Sequence, residues 1–115
     1  VNASHGYLVW SFLSPLANKR KDKYGGDLEG RMRFLLGIIG KIREKILDTP
    51  ITVRINGDDY IDGSIKIEDA VAISKRLEEA GVDAINVTGG IRETHEYQDP
   101  PRAILDCCNV PYPGR

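Results

Sequence analysis

Residues 51–56 read ITVRIN, and their alternation bears most directly on the fold. Ile51, Val53 and Ile55 are apolar, while Thr52, Arg54 and Asn56 are polar, the period of a strand with two unlike faces. Pro50 closes the approach to this strand, and GDDYIDGS (57–64), rich in Gly and Asp, reads as the loop beyond it. Upstream, Leu35, Ile38, Ile39, Ile42 and Ile46 recur at i, i+3, i+4, i+7 and i+11, which predicts a helix over 29–47 with one apolar face. Asp27 is its expected N-cap. Gly37 and Gly40 fall inside it, each costing about 1 kcal/mol relative to Ala, so the helix depends on tertiary packing. Downstream, a second helix over 68–80 is expected to bury Ala70, Ile73, Leu77 and Ala80, with Gly81 as a natural C′ residue. VDAINV (82–87) then reads as another strand, closing on Thr88, Gly89 and Gly90.

This order of strands and helices is α/β, with parallel strands joined by helical crossovers. It fits a doubly wound sheet or a (β/α)₈ TIM barrel. No Gly-rich phosphate loop follows either strand, as a dinucleotide fold would want. An open parallel sheet covered on both faces prefers apolar residues on both. Thr52, Arg54 and Asn56, and then Asn86 and Thr88, put polar residues on one face instead. A barrel strand does this near its C-terminal mouth, where active sites lie. The expectation is therefore a segment of a barrel.

At 115 residues the chain suits one domain at most. Its 16 Lys+Arg against 17 Asp+Glu argue against nucleic acid as a partner, which needs a clustered basic excess. LANKRKDK (16–23) is locally basic, but Asp22 interrupts it and Asp27 follows, so it reads as a solvated loop. No apolar run approaches the ~18 residues of a membrane helix, and no leader opens the chain. Cys107 and Cys108 are adjacent, a poor arrangement for a disulfide and for metal ligation alike, and read as reduced thiols of a cytoplasmic protein. The chain opens at Val1 without Met and ends in NVPYPGR, so residues 1–115 read as a partial unit cut from something longer.

The densest polar cluster is Asn2, His5 and Tyr7 in NASHGY (2–7). An Asn amide and a His ring N–H can both donate to a substrate oxygen. A Tyr hydroxyl can supply a proton at neutral pH. Together they could polarise a carbonyl and protonate a neighbouring carbon; the competing reading is a turn in which His5 and Tyr7 merely pack. Arg54, on the polar face of a central strand, requires an anionic partner. A reduced flavin near its N1 and O2 and a carboxylate such as Asp58 or Asp59 both qualify. His95, in a polar loop, reads as a surface histidine. No Gly-x-Ser-x-Gly elbow is present, and DDYID lacks the register and closing Glu of an EF-hand.

The stretch HGYLVWSFLSPLANKRKDKYGGDLEGRMRF (5–34) resembles the Old Yellow Enzyme family, most of all its 2,4-dienoyl-CoA reductase and NADH:flavin oxidoreductase branch. Phe12-Leu13-Ser14-Pro15, Asn18, Arg20, Asp22, Tyr24-Gly25-Gly26, Glu29, Arg31, Arg33 and Phe34 match the family pattern at its fixed spacing. The likeness continues through ITVRIN and LEEAGVDAINVTGG (77–90), so that the chain is similar to about strands 4 to 6 of the barrel. The resemblance implies an FMN-dependent reductase that takes hydride from NADH or NADPH and delivers it to an activated alkene of enone or enoyl-CoA type. Tyr7 matches the proton donor to the α-carbon. Asn2 and His5 fall on the two positions that hold the substrate carbonyl oxygen, and Arg54 on the Arg that contacts the flavin N1/O2 edge. The chain also departs from the pattern. Asn2 stands where His is usual, Trp10 where Asn is commoner, Gly30 where Asn is usual, and Lys66 where a helix-capping Thr is common. The 4Fe-4S cluster and FAD of larger relatives would belong to regions outside this chain, as would the phosphate-binding loops of the barrel. A complete barrel of this type needs ~250 residues. The remainder of the barrel or an oligomer is thus an expected partner, and the rival reading is a catalytically silent half-barrel acting as an assembly or binding module.

Overall fold

The computed structural model describes residues 1–98, so Cys107 and Cys108 lie outside the described part. In chain order the elements are β1 (Asn2–Ala3), α1 (Leu8–Leu13), α2 (Leu28–Lys45), β2 (Thr52–Asp58), α3 (Ile67–Glu79), β3 (Ala84–Gly89), a 3₁₀ turn (Arg92–Thr94) and α4 (His95–Gln98). The strands form one parallel sheet in the order β1-β2-β3. The chain is α/β, as expected.

Strand alternation separates the two faces of this sheet. Ala3, Val53 and Ile55 point into the core, where they meet Met32, Leu35 and Ile39 of α2 and Ala70, Ile73 and Leu77 of α3. The opposite face carries Asn2, Arg54 and Asn86 in one row, since Asn2 pairs with Arg54 and Arg54 with Asn86 in the parallel register. No helix among the described residues covers that row, and all three residues are exposed. Asn56 shares its side of β2, yet it is fully buried, because the β1–α1 turn and Gly90 close over the C-terminal end of the sheet.

Asp27 caps α2 as expected, its carboxylate accepting the Gly30 N–H at 2.9 Å. The helix stops at Lys45 rather than at residue 47. Ile46 becomes its C-cap and Leu47 is exposed, so the apolar face ends one turn early. Arg43 explains the stop. Its guanidinium donates to the carbonyls of Leu47, Thr49 and Gly81 and to the Asp83 carboxylate. Carbonyls that leave the helix thus find a cationic donor. Pro50 then disfavours helical backbone at Thr49, which lies in a bend. Asp83 also accepts the Ile51 N–H at 2.7 Å, which, with Arg43, holds its carboxyl below the usual range. One clamp therefore ties the end of α2 to the start of β2 and β3.

One further expectation needs correction, and one element is added. Ala80 is exposed, because α3 ends at Glu79 and Ala80 leaves the buried stripe. Helix α1 was not anticipated; LVWSFL has no polar face to mark a helical period. It forms because Val9, Trp10 and Leu13 bury against β1 and α2. No helix among the described residues is long and apolar enough to cross a membrane.

Candidate active site

The C-terminal end of β1 turns sharply into α1. His5 has φ 58° and Gly6 φ 83°, so two successive residues sit in the left-handed region. Such a conformation is rare for a side chain other than Asn, Asp or His and must be held by its surroundings. Here the His5 backbone N–H donates to Asn56 Oδ1 (3.2 Å), and His5 Nδ1 lies 3.0 Å from the Gly90 carbonyl oxygen. Because a carbonyl oxygen only accepts, Nδ1 carries the proton, and Nε2 of the neutral ring is left as an acceptor. Burial lowers the imidazole pKa from 6.5; the Gly90 hydrogen bond opposes this, the nearby Arg54 charge adds to it, and Asp59 opposes it.

Tyr7 N-caps α1 through its backbone, makes no capping bond with its side chain, and is 59% exposed. It lines an open cleft of about 820 Å³ with His5, Trp10, Ile61, Ile91 and His95. His95 is exposed, as a surface histidine should be, and at the same time stands on the rim of that cleft. The far wall, residues 91–98, is anchored through Thr94. Its hydroxyl donates to the Asp59 carbonyl at 2.8 Å and accepts the Ile91 N–H, while Tyr97 stacks on Tyr60 with ring centroids 4.0 Å apart.

Asn2 and Arg54 are not in this cleft; they stand side by side on the open sheet face. The Asn2 carboxamide oxygen accepts from Ser4 N (3.1 Å) and Ser4 Oγ (2.6 Å), a local turn that fixes its rotamer and leaves the amide N–H₂ for other partners. Arg54 donates to Thr88 Oγ1 at 3.2 Å. Neither expected carboxylate reaches it. Asp58 pairs with Lys66 at 3.4 Å, and Asp59 is taken by the groups described below. Among the described residues the guanidinium has no anionic partner, which suits a flavin edge or another oxyanion. The structure thus brings His5 and Tyr7 together on one cleft and sets Asn2 and Arg54 as a second pair on the adjoining face.

A buried network beneath His5 escaped the sequence reading. Asp59, with no exposed surface, accepts hydrogen bonds from Trp10 Nε1 (3.0 Å), Asn56 Nδ2, Ser64 Oγ and Ile65 N (3.2 Å). Asn56 passes its second amide proton to the Gly90 oxygen at 2.9 Å. The adjacent carboxylates of DDYID look alike in sequence, yet one is partly exposed and the other fully buried. The signal that could have found the site was Asn56 itself, the last polar residue of the alternating strand.

The chain matches the model of the NADH:flavin oxidoreductase / NADH oxidase family over residues 1–98. A metal reductase of Desulforamulus reducens is 50% identical over 97 residues, covering 84% of this chain and 14% of that protein. An NADPH dehydrogenase of a Geobacillus species is 47% identical over 106 residues, covering 87% of this chain and 31% of that protein. Among solved structures, a 2-naphthoyl-CoA reductase in complex with 2-naphthoyl-CoA superposes with a TM-score of 0.78 at 42% identity, over 82% of this chain and 14% of its own. An Old Yellow Enzyme from Pichia does so with a TM-score of 0.65 at 30% identity, over 76% of this chain and 26% of its own. The chain therefore spans under a third of the length of these relatives.

Proposed function

Because this chain belongs to the NADH:flavin oxidoreductase / NADH oxidase family, we propose that it is about strands 4 to 6 of the (β/α)₈ barrel of an FMN-dependent NAD(P)H oxidoreductase that reduces activated alkenes of enone or enoyl-CoA type. The observation that carries this reading is Arg54: an exposed guanidinium on a central strand, with no carboxylate partner among the described residues and with Asn2 in register beside it. A silent half-barrel has no need of such a cation, so nothing favours the rival reading. FMN, when bound, would supply the hydride for the alkene β-carbon. Arg54 would hold the flavin's N1/O2 edge, where charge accumulates on reduction. Asn2, through its free amide N–H₂, would hold the substrate carbonyl oxygen, joined by His5 when its ring is protonated, and so withdraw electron density from the alkene. Tyr7, exposed at the start of α1 with its hydroxyl unengaged by any cap, would deliver the proton to the α-carbon.

The name of the 2-naphthoyl-CoA relative favours an acyl-CoA substrate, and that of the NADPH dehydrogenase favours NADPH as reductant. The test is to purify the full-length protein, measure its flavin absorbance, and follow NADPH and NADH oxidation with cyclohex-2-enone and an enoyl-CoA. A yellow protein that reduces either alkene supports the reading. A colourless protein that gains no FMN on reconstitution would favour the assembly module.

A further inference from the structure

Asn56 sits at the centre of a chain of hydrogen bonds whose directions are all determined. Its neighbours are a backbone N–H that only donates (His5), a carbonyl oxygen that only accepts (Gly90), and a carboxylate (Asp59) that, ionised, only accepts. These three permit one amide orientation: Oδ1 toward His5 N, Nδ2 toward Gly90 O and Asp59 Oδ1. A flipped amide would set two donors against each other at His5 and two acceptors against each other at Asp59. The carboxylate is in turn fixed by Trp10, Ser64 and Ile65.

The same Gly90 oxygen receives the His5 ring. Gly90 has φ 75°, and an added Cβ would lie 2.6 Å from the Thr94 carbonyl oxygen, so this carbonyl is held by a backbone that only Gly permits. Ring and backbone of His5 are thus gripped through one amide, in a left-handed turn that His5 would otherwise leave.

We infer that Asn56, keyed by the buried carboxylate of Asp59, is the positioning residue that sets the orientation and proton location of the His5 ring: Nδ1–H toward Gly90, Nε2 toward the cleft. Neither residue touches the cleft itself. The consequence for chemistry is definite. Neutral His5 offers the cleft an acceptor, and it donates to a substrate oxygen only as the imidazolium. Asn2 is then the constant donor of the pair and His5 the conditional one. The charged groups facing the ring are Arg54 from β2 and Asp59 from the loop after it, with Arg92, Glu93 and His95 on the far wall of the cleft.

This inference rests on the role proposed for His5 but is tested apart from it. The full-length protein, with ¹⁵N-labelled histidine, is compared with Asn56→Ala and Asp59→Asn by long-range ¹H–¹⁵N correlation of the ring nitrogens above pH 7. His5→Gln identifies the signals. The wild type is expected to show His5 protonated at Nδ1, and both variants a mixture of tautomers, with thermal melting checked to show that each is folded. In the same proteins kcat/KM for cyclohex-2-enone should fall by up to about 10²-fold through misplacement of the ring, while flavin reduction by NADPH stays as in the wild type. A wild-type His5 protonated at Nε2 overturns the inference without need of any variant, as does a folded Asn56→Ala that keeps a pure Nδ1–H ring. Absence of enone turnover in the wild type would sink the functional reading alone, and the tautomer would still decide this one.

Discussion

Tyr7 and His5 are two residues apart, yet the turn gives them opposite environments: 59% exposed for Tyr7 and 8% for His5. Exposure leaves the phenol free to meet a substrate. In the full-length protein Tyr7→Phe is expected to lower enone reduction by ~10²–10⁴-fold, the usual worth of a positioned proton donor. The half-reaction with NADPH should be untouched, and stopped-flow traces of the two halves would separate them. Equal loss in both would remove Tyr7 from proton transfer. For Arg54, replacement by Ala should weaken FMN retention and lower the flavin's reduction potential, because reduction adds negative charge there. Lys should rescue poorly, lacking the planar fork. Dialysis of bound flavin and a potentiometric titration read both; unchanged values would leave Arg54 as a merely structural cation. His5 also sets a pH dependence. Its folded pKa lies below 6.5, so the unfolded chain binds the proton more readily. Its neutral form therefore favours the fold in full above about pH 6.5, and this contribution is lost as the pH falls through the lowered value. Chemical denaturation between pH 7 and pH 5 should show less of this decline in His5→Gln than in the wild type.

At the scale of elements, α2 shows how one residue type can serve opposite ends. A Cβ on Gly30 would stand 2.0 Å from the Gly25 carbonyl oxygen, and one on Gly25 2.1 Å from the Arg20 carbonyl oxygen, so the loop between α1 and α2 packs on bare backbone. Gly37 and Gly40 meet nothing within 4 Å and lie on the exposed side of the helix. Gly37→Ala and Gly40→Ala should each stabilise the protein by about 1 kcal/mol, whereas Gly30→Ala should destabilise it; melting temperatures in opposite directions check the contrast. The basic loop reads similarly. Arg20 pairs with Asp22, whose pKa is lowered to about 2 chiefly by that bond, and the lysines around them are exposed, as a solvated loop requires. What was legible in the sequence was periodic: β2, α2 and α3 were anticipated within a few residues from alternation and from the 3.6-residue stripe. Asp27 was legible as a cap because its side chain acts on its own helix. Lys66 could not cap α3 that way. A cation cannot accept, so Asp69 reaches back to the Lys66 N–H at 3.1 Å while the Lys66 ammonium turns to Asp58. Helix α1 was hidden because its six residues, apolar but for Ser11, mark no polar side, and Trp10 and Asp59 because each one's partner is 49 residues away.

At the scale of the whole molecule, the pairing of the strands decides what this chain can do alone. Among the described residues β2 is satisfied on both sides, but β1 and β3 each have one neighbour. Unpaired edges of this kind recruit other strands. On the outer side of β3, Ile67, Ala70, Val71, Val82, Ile85 and Val87 line a groove of about 440 Å³ that no described element fills. Among the described residues the polar row of Asn2, Arg54 and Asn86 has no layer above it either. A barrel closes both edges and covers both faces at once. For residues 1–115 expressed alone, the expected outcome is therefore self-association and no stable FMN binding. Arg54 would be the main anchor left for the flavin, and a single exposed charge–charge contact contributes at most about 1 kcal/mol, against several for rotational and translational ordering of a ligand. Light scattering together with quenching of FMN fluorescence reads both halves of this expectation. A folded monomer that binds FMN with micromolar affinity would show instead that the row Asn2–Arg54–Asn86, with the His5–Tyr7 cleft beside it, already forms a sufficient flavin site without the rest of a barrel.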